Sequence, residues 1–167
     1  MHQAIASLAG KGTGRHARRP RICLVSSVGG HFRELLQLRS IYERYDHFYV
    51  VNDLMDPPPE IRERMIFIRH IERDWRQVLA FFDALQLLRK QRPNLIISTG
   101  AAPAVMFAIA GRLLGIPLLY LEPASAIERP TLTGRLLYNL HLASLFLYQW
   151  PSLYRHYPRA IYGGCSL

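Results

Sequence analysis

Short runs of aliphatic and β-branched residues alternate along the chain with longer stretches in which apolar positions recur every three to four residues. This alternation predicts βα units and a parallel sheet covered by helices on both faces. Residues 21–26 (RICLVS) form the first predicted strand. Ser27, Val28, Gly29 and Gly30 then lead into a helix over 31–42 whose apolar face is Phe32, Leu35, Leu36 and Leu38. Strands are expected at 48–51 and 65–68, separated by a loop through Pro57, Pro58 and Pro59 that no helix or central strand accommodates. A long helix, capped at Asp74 or a neighbour and running to Gln91, carries Val78, Leu79, Phe82, Leu85 and Leu88 at near-helical spacing.

The strand over 95–98 turns through Thr99, Gly100, Ala101, Ala102 and Pro103 into an apolar helix ending at Gly115, a favourable residue just past a helix end. A strand at 118–121, a helix at 131–142, a strand at 144–148 and a short helical segment at 151–157 complete the pattern. Neither an internal repeat nor a low-complexity tract interrupts it. Residues 21–167 therefore read as one α/β domain with a doubly wound, mostly parallel sheet.

Charge changes the picture more than size does. The chain has 167 residues, half of them hydrophobic, enough for one core without disulfides or metals. Cys23 and Cys165 have no CxxC or Cys/His spacing around them and read as reduced thiols, with no metal site. The formal charge of +9 implies an anionic partner: nucleic acid, anionic lipid or a phosphate-bearing substrate. Lys11 and Lys90 are the only lysines, so arginine carries the charge, and its planar fork suits phosphate oxygens. Genomic base composition produces the same bias.

Residues 1–20 place a mildly apolar start before Arg15, His16, Arg18 and Arg19, the reverse of the order in a secretory signal. They read as a basic, mobile arm whose Arg15, Arg18 and Arg19 lie on an anionic membrane, or as a solvated tail. The most apolar stretch, 103–121, is broken by Arg112, Gly115 and Pro117. No segment reaches the roughly 18 apolar residues of a membrane span, so the expected membrane contact is peripheral.

In open parallel sheets ligands bind beyond the carboxyl ends of the strands. Three loops there carry chemistry. Ser27, Gly29, Gly30 and His31 sit between a strand and a helix, where backbone N–H groups and the helix dipole favour phosphate and the imidazole can act as a base. Packing alone also accounts for a Gly-Gly turn, and a lone histidine is often only a satisfied polar residue. The loop lacks the G-x-G-x-x-G spacing of dinucleotide-binding folds. Thr99, Gly100 and Ala101 repeat the arrangement of small residues before a helix. Glu122 ends the strand at 118–121, with Ser125 and Arg129 following, and is either a hydroxyl acceptor or a partner for an arginine such as Arg129.

With these residues in view, VSSVGGHFRELLQL (25–38), PNLIISTGAAPAVMFAIAGRLLGIPLLYLEP (93–123) and QWPSLYRHYPRAIYGG (149–164) resemble a known family. It is the acceptor-side, membrane-associated subunit of the split UDP-N-acetylglucosamine transferase of asparagine-linked glycosylation, the fourteenth protein of the Alg series. Relatives of the PssD type from bacterial exopolysaccharide clusters are nearest. A more distant similarity is to the N-terminal domain of the peptidoglycan transferase MurG, whose first loop also ends in Gly-Gly-His. This chain has Ser27 and Val28 where MurG has a glycine pair.

The resemblance implies a Rossmann-like, N-terminal GT-B half that binds a lipid-linked diphosphate acceptor, with His31 and Glu122 as catalytic candidates. Acceptor or phosphate contacts would come from Ser27, Gly29, Gly30, Thr99, Gly100, Ala101, Ser125 and Arg129. The UDP-sugar would be held mainly by a separate donor-binding subunit, with no other cofactor, and the pair would work on the cytoplasmic face of the cell membrane. Tyr148, Trp150, Tyr157, Tyr162 and Gly163 are expected to dock that partner, because aromatic side chains anchor interfaces. The apolar residues near Phe32 and over 136–142 would seat the cleft mouth on the bilayer. The competing readings are a non-catalytic membrane scaffold for the partner and a nucleic-acid-binding domain; the second lacks any recognisable reading module.

Overall fold

A computed structural model describes residues 20–52, 58–68 and 77–164, together with Ser7. The expectations for Arg15, Arg18, Arg19, Asp74 and Cys165, and for the side chain of Val78, fall outside the described residues. Seven parallel strands form one sheet: β1 (Arg21–Val25), β2 (Asp46–Asn52), β3 (Met65–Ile68), β4 (Leu95–Ser98), β5 (Leu118–Leu121), β6 (Leu145–Tyr148) and β7 (Ile161–Tyr162). Their order is β3-β2-β1-β4-β5-β6-β7. Pairs such as Val25 with Val50 and with Ser98 set the central register.

The helices are α1 (Gly30–Gln37), α2 (Arg39–Tyr42), α3 (Pro59–Arg62), α4 (Gln77–Gln91), α5 (Ala102–Leu113) and α6 (Leu132–Asn139), with a 3₁₀ helix at Pro151–Arg155. Alternate strand residues separate two cores. Cys23, Val25, Ile96, Tyr120 and Phe146 face Leu88 of α4, Phe107 of α5 and Leu137 of α6. Leu24, Tyr49, Ile97, Leu119 and Leu121 face Phe32, Leu35, Ile41 and Tyr42 of α1 and α2. The sheet is doubly wound, as the hydrophobic pattern implied.

Several expectations need correction. The helix expected over 31–42 breaks at Leu38, giving α1 and α2. Pro59 does not exclude a helix: it opens α3, because proline's missing N–H costs nothing at the first helical position. On α4 the buried residues are Ala84 and Leu88, with Phe81, Leu85 and Leu87 packed beside them, whereas Leu79 and Phe82 are exposed. Gly115 does take the left-handed conformation just past α5, with φ +70°.

Candidate functional site

The strand order reverses at β1 and β4, and the loops leaving these two strands meet there. His31 lies in the first turn of α1, its Nδ1 3.0 Å from the Thr99 carbonyl oxygen. A carbonyl only accepts, so Nδ1 carries the proton and the lone pair sits on Nε2. Thr99 donates its hydroxyl to the His31 carbonyl at 2.7 Å, closing a reciprocal clasp between α1 and the β4–α5 turn. Burial pushes the His31 imidazole below its ordinary pKa of 6.5, against the opposing pull of the Thr99 carbonyl. The ring is therefore a neutral base at pH 7.

The glycines around it have distinct causes. Gly100, at φ +121°, allows the clasp: a Cβ there would lie 3.2 Å from His31 Cε1 and 3.3 Å from Nδ1. Gly29 starts α1 at φ +87°, while a Cβ on Gly30 would meet nothing within 4 Å. Open space therefore adjoins the turn. Both α1 and α5 begin without a side-chain cap; the first-turn amides of α1 remain available to an anion, whereas in α5 Pro103 has no N–H and the Ala104 amide donates to the Ala101 carbonyl at 3.1 Å. Ala101, which opens α5, sits at φ 71°, a conformation that costs a non-glycine residue about 1–3 kcal/mol. The Val28 amide is held by Asn52 Oδ1 at 3.0 Å, which ties this loop to the end of β2.

The third loop is organised by a buried acid. Glu122 has no exposed surface. Its Oε1 accepts from the Thr131 amide at 2.6 Å and from the Tyr157 hydroxyl at 3.2 Å. Thr131 in turn caps α6 by accepting from the Gly134 amide at 2.9 Å. Desolvation raises the Glu122 carboxyl above the usual carboxylate range. Neither role considered from the sequence fits: the acid is sealed from solvent, and no ion pair joins it to Arg129. Through the Thr131 amide it holds the β5–α6 loop from inside the fold.

A second acid, Glu34 on α1, is also buried and accepts from the Ala124 amide at 2.5 Å, linking the first loop to the third. Sequence reasoning passed over Glu34 because it looks like a polar residue on a solvated helix face. Gly134 was also passed over, although a glycine inside a helical pattern signals close approach.

Of the remaining expected contacts, Gly29, Gly30, Ser125 and Arg129 are exposed and Ser27 and Ala101 half-buried, while Thr99 and Gly100 are buried and act through His31. Tyr148 and Tyr157, expected at a partner interface, belong to the chain's own core, where Tyr157 packs on Tyr138, Phe146 and Tyr148. Trp150 donates its indole N–H to the Ala124 carbonyl at 2.6 Å. Tyr162 and Gly163 remain exposed. Phe32 is buried and cannot meet a membrane, but Leu136 on α6 and Leu140 just past its end are exposed.

The family model described as "Oligosaccharide biosynthesis protein Alg14 like" matches residues 62–166, well over half of the chain. The chain belongs to the Alg14 family. The match takes in the second and third loops and the tail, while the His31 loop precedes it. The human UDP-N-acetylglucosamine transferase subunit ALG14 is 24% identical to this Alg14-family chain over 86% of it and 81% of the human protein. The subunit of the same name from Yarrowia lipolytica is 35% identical over 52% of this chain and 42% of its own.

Among solved structures, MurG of Acinetobacter baumannii superposes with a TM-score of 0.62 at 17% identity, covering 80% of this chain and 42% of MurG. A UDP-N-acetylglucosamine 2-epimerase from Rickettsia bellii gives 0.61 at 12%, covering 84% and 42%. These likenesses show a shared Rossmann-like fold. The Alg14-family chain spans 42% of either solved protein's length.

Proposed function

We propose that this chain is the acceptor-binding subunit of a glycosyltransferase that moves N-acetylglucosamine or a related sugar from a UDP-sugar held by a separate donor-binding chain. The observation that carries the reading is the His31–Thr99 clasp, set between two helix N-termini without side-chain caps at the sheet's reversal point. Membership of the Alg14 family and the MurG-like fold support it.

In this reading His31 Nε2 takes the proton of the acceptor hydroxyl as that oxygen attacks the anomeric carbon. The bond to UDP breaks, and UDP leaves carrying the electron pair. The open first-turn amides of α1 lie beside the ring, where they orient the reacting part of the acceptor. Stabilisation of departing UDP falls to the donor-binding chain. A lipid-linked acceptor agrees with the exposed Leu132 and Leu136 on α6 and Leu140 at its C-terminal end, which recur every four residues and give a surface for peripheral bilayer contact. No helix among the described residues is long and apolar enough to cross a membrane. Work on the cytoplasmic face, where UDP-sugars are available, completes the reading.

The test is reconstitution with a donor-binding partner, UDP-N-acetylglucosamine and a lipid-diphosphate acceptor. The isolated chain should transfer nothing and the pair should be active; turnover by the chain alone would refute the split. His31→Ala should lower kcat of the pair by about 10²–10⁴-fold, the usual scale for a general base. Full turnover in that variant would instead establish the scaffold reading. The wild-type acid limb should lie below pH 6.5, since burial depresses the imidazole.

A further inference from the structure

Beside the third loop the surface closes into a cavity of about 560 Å³ lined by Arg129, Arg135, Asn139, Arg155, His156 and Tyr157, with Pro130 at its edge. The arginines come from three separate segments: the β5–α6 loop, α6 and the 3₁₀ helix after β6. Among the described residues the ion pairs are Arg21–Asp46 and Arg39–Glu43, so no carboxylate neutralises this group. Arg155 is steadied by Nη2 donating to the Glu128 carbonyl at 3.4 Å and by Nε donating to His156 Nε2 at 3.3 Å. Among the described residues the Arg129 and Arg135 side chains make no hydrogen bond that would occupy their forks.

Three arginines line one concavity with no carboxylate in ion-pair contact, Glu128 beside Arg129 included, and so give a local positive potential and donors suited to phosphate oxygens. The wall behind them is fixed. Tyr157 lines the cavity and is fastened to buried Glu122, while the Ser152 hydroxyl donates to the Ile127 carbonyl and joins the 3₁₀ helix to the β5–α6 loop. The floor is thus tied to the same loop that Glu34 links to α1.

We propose that Arg129, Arg135 and Arg155 form a second anion site, separate from the His31 loop, that binds a diphosphate-bearing ligand. A diphosphate suits three arginines lining one cavity better than a single carboxylate does, because it offers non-bridging oxygens on two phosphorus centres. The choice of a lipid-borne diphosphate as natural occupant rests on the acceptor reading above. The existence of the site does not. The exposed Leu136 lies on the helix that carries Arg135 and the exposed Leu140 just past its end, an apolar surface for a lipid chain leaving the cavity.

The experiment uses the full chain without a partner. Inorganic pyrophosphate is titrated calorimetrically into wild type, His31→Ala and the triple variant Arg129→Gln/Arg135→Gln/Arg155→Gln. The substituted residues are exposed, so folding should be retained; circular dichroism checks this, and the three single variants serve if the triple variant is misfolded. Wild type and His31→Ala should bind alike. Each single Arg→Gln change should weaken binding about tenfold or more, the scale of a charged hydrogen bond.

Parallel titrations with UDP and with phosphatidylcholine vesicles carrying a polyisoprenyl diphosphate identify the source. Arginine-dependent binding to the vesicles supports the lipid-borne occupant, while arginine-dependent binding of UDP or pyrophosphate alone supports the site with a soluble ligand. Pyrophosphate affinity unchanged in the folded variants, or absent from wild type, overturns the proposal. Transfer activity with a partner is measured separately, so the acceptor reading can stand or fall independently.

Discussion

Gly134→Ala sets helix propensity against packing, and the structure determines which wins. Gly134 lies inside α6, where alanine is favoured over glycine by about 1 kcal/mol. A Cβ at this position would fall 1.9 Å from Glu122 Oε2, 2.6 Å from its Cδ and 2.6 Å from the Tyr157 hydroxyl. Neither neighbour yields easily: Glu122 is held by the Thr131 amide and Tyr157, and Tyr157 is packed among Tyr138, Phe146 and Tyr148. Forced relaxation of a packed core costs about 1–3 kcal/mol, and contact with three atoms on two anchored side chains belongs at the upper end.

Net destabilisation of about 2 kcal/mol should follow, and at about 2–4 °C per kcal/mol for a domain of this size Tm should fall by roughly 4–8 °C. The assay is thermal and urea unfolding of wild type, Gly134→Ala, Glu122→Ala and the double variant. Removing the carboxylate opens the space the methyl group needs, so Gly134→Ala should cost at least about 1 kcal/mol less in the Glu122→Ala background. A single variant as stable as wild type, or strict additivity in the cycle, would refute the packing argument.

Two further predictions concern protons and the clasp. Burial raises the Glu34 and Glu122 carboxyls above 4.5, so the folded chain retains protons that the unfolded chain has released. Their contribution is full below pH 4.5 and is lost as pH climbs through the raised folded values. The stability difference between wild type and Glu122→Gln, from urea unfolding, should therefore shift against wild type as pH rises; a constant difference from pH 4.5 to 8 would contradict it. His31 and His47 act in the opposite sense: with folded pKa values below 6.5, their contribution is present above 6.5 and is lost on acidification through the depressed values. Thr99→Val removes the 2.7 Å donation to the His31 carbonyl with little change of shape. It should cost about 1 kcal/mol in urea unfolding; equal stability would mean that the clasp carries no net free energy.

The strands and their flanking helices were legible because each has a local cause. Apolar runs such as RICLV and LLYL, bounded by turn residues, have few alternatives to buried parallel strands. The first two loops were legible for the same reason: Gly29 and Gly100 occupy backbone conformations that favour glycine. What stayed hidden depends on residues distant in sequence. Glu34 and Ala124, 90 positions apart, share a hydrogen bond, and the arginine cavity assembles from three segments whose charges look like ordinary solvated ones. Tyr148 and Tyr157 misled because aromatic density near a chain end suits either an interface or a late-packing piece of core. Only burial separates the two.

The two buried acids also clarify how the β5–α6 connection of a strongly basic protein is held from behind. Glu34 and Glu122 each accept from a backbone amide in the β5–α6 connection, at Ala124 and Thr131. They fix both ends of that loop from behind, and burial raises both carboxyl pKa values, which favours their neutral forms. On the exposed side of the connection Arg129 lines the arginine cavity, whereas the exposed Glu128 beside it does not. An acid turned toward the ligand would oppose a phosphate; an acid turned inward orders the donors at little electrostatic cost. Glu122 thus holds the loop that carries Arg129 from inside the fold, while the side chain that the Thr99 carbonyl holds at the reversal point is the imidazole of His31.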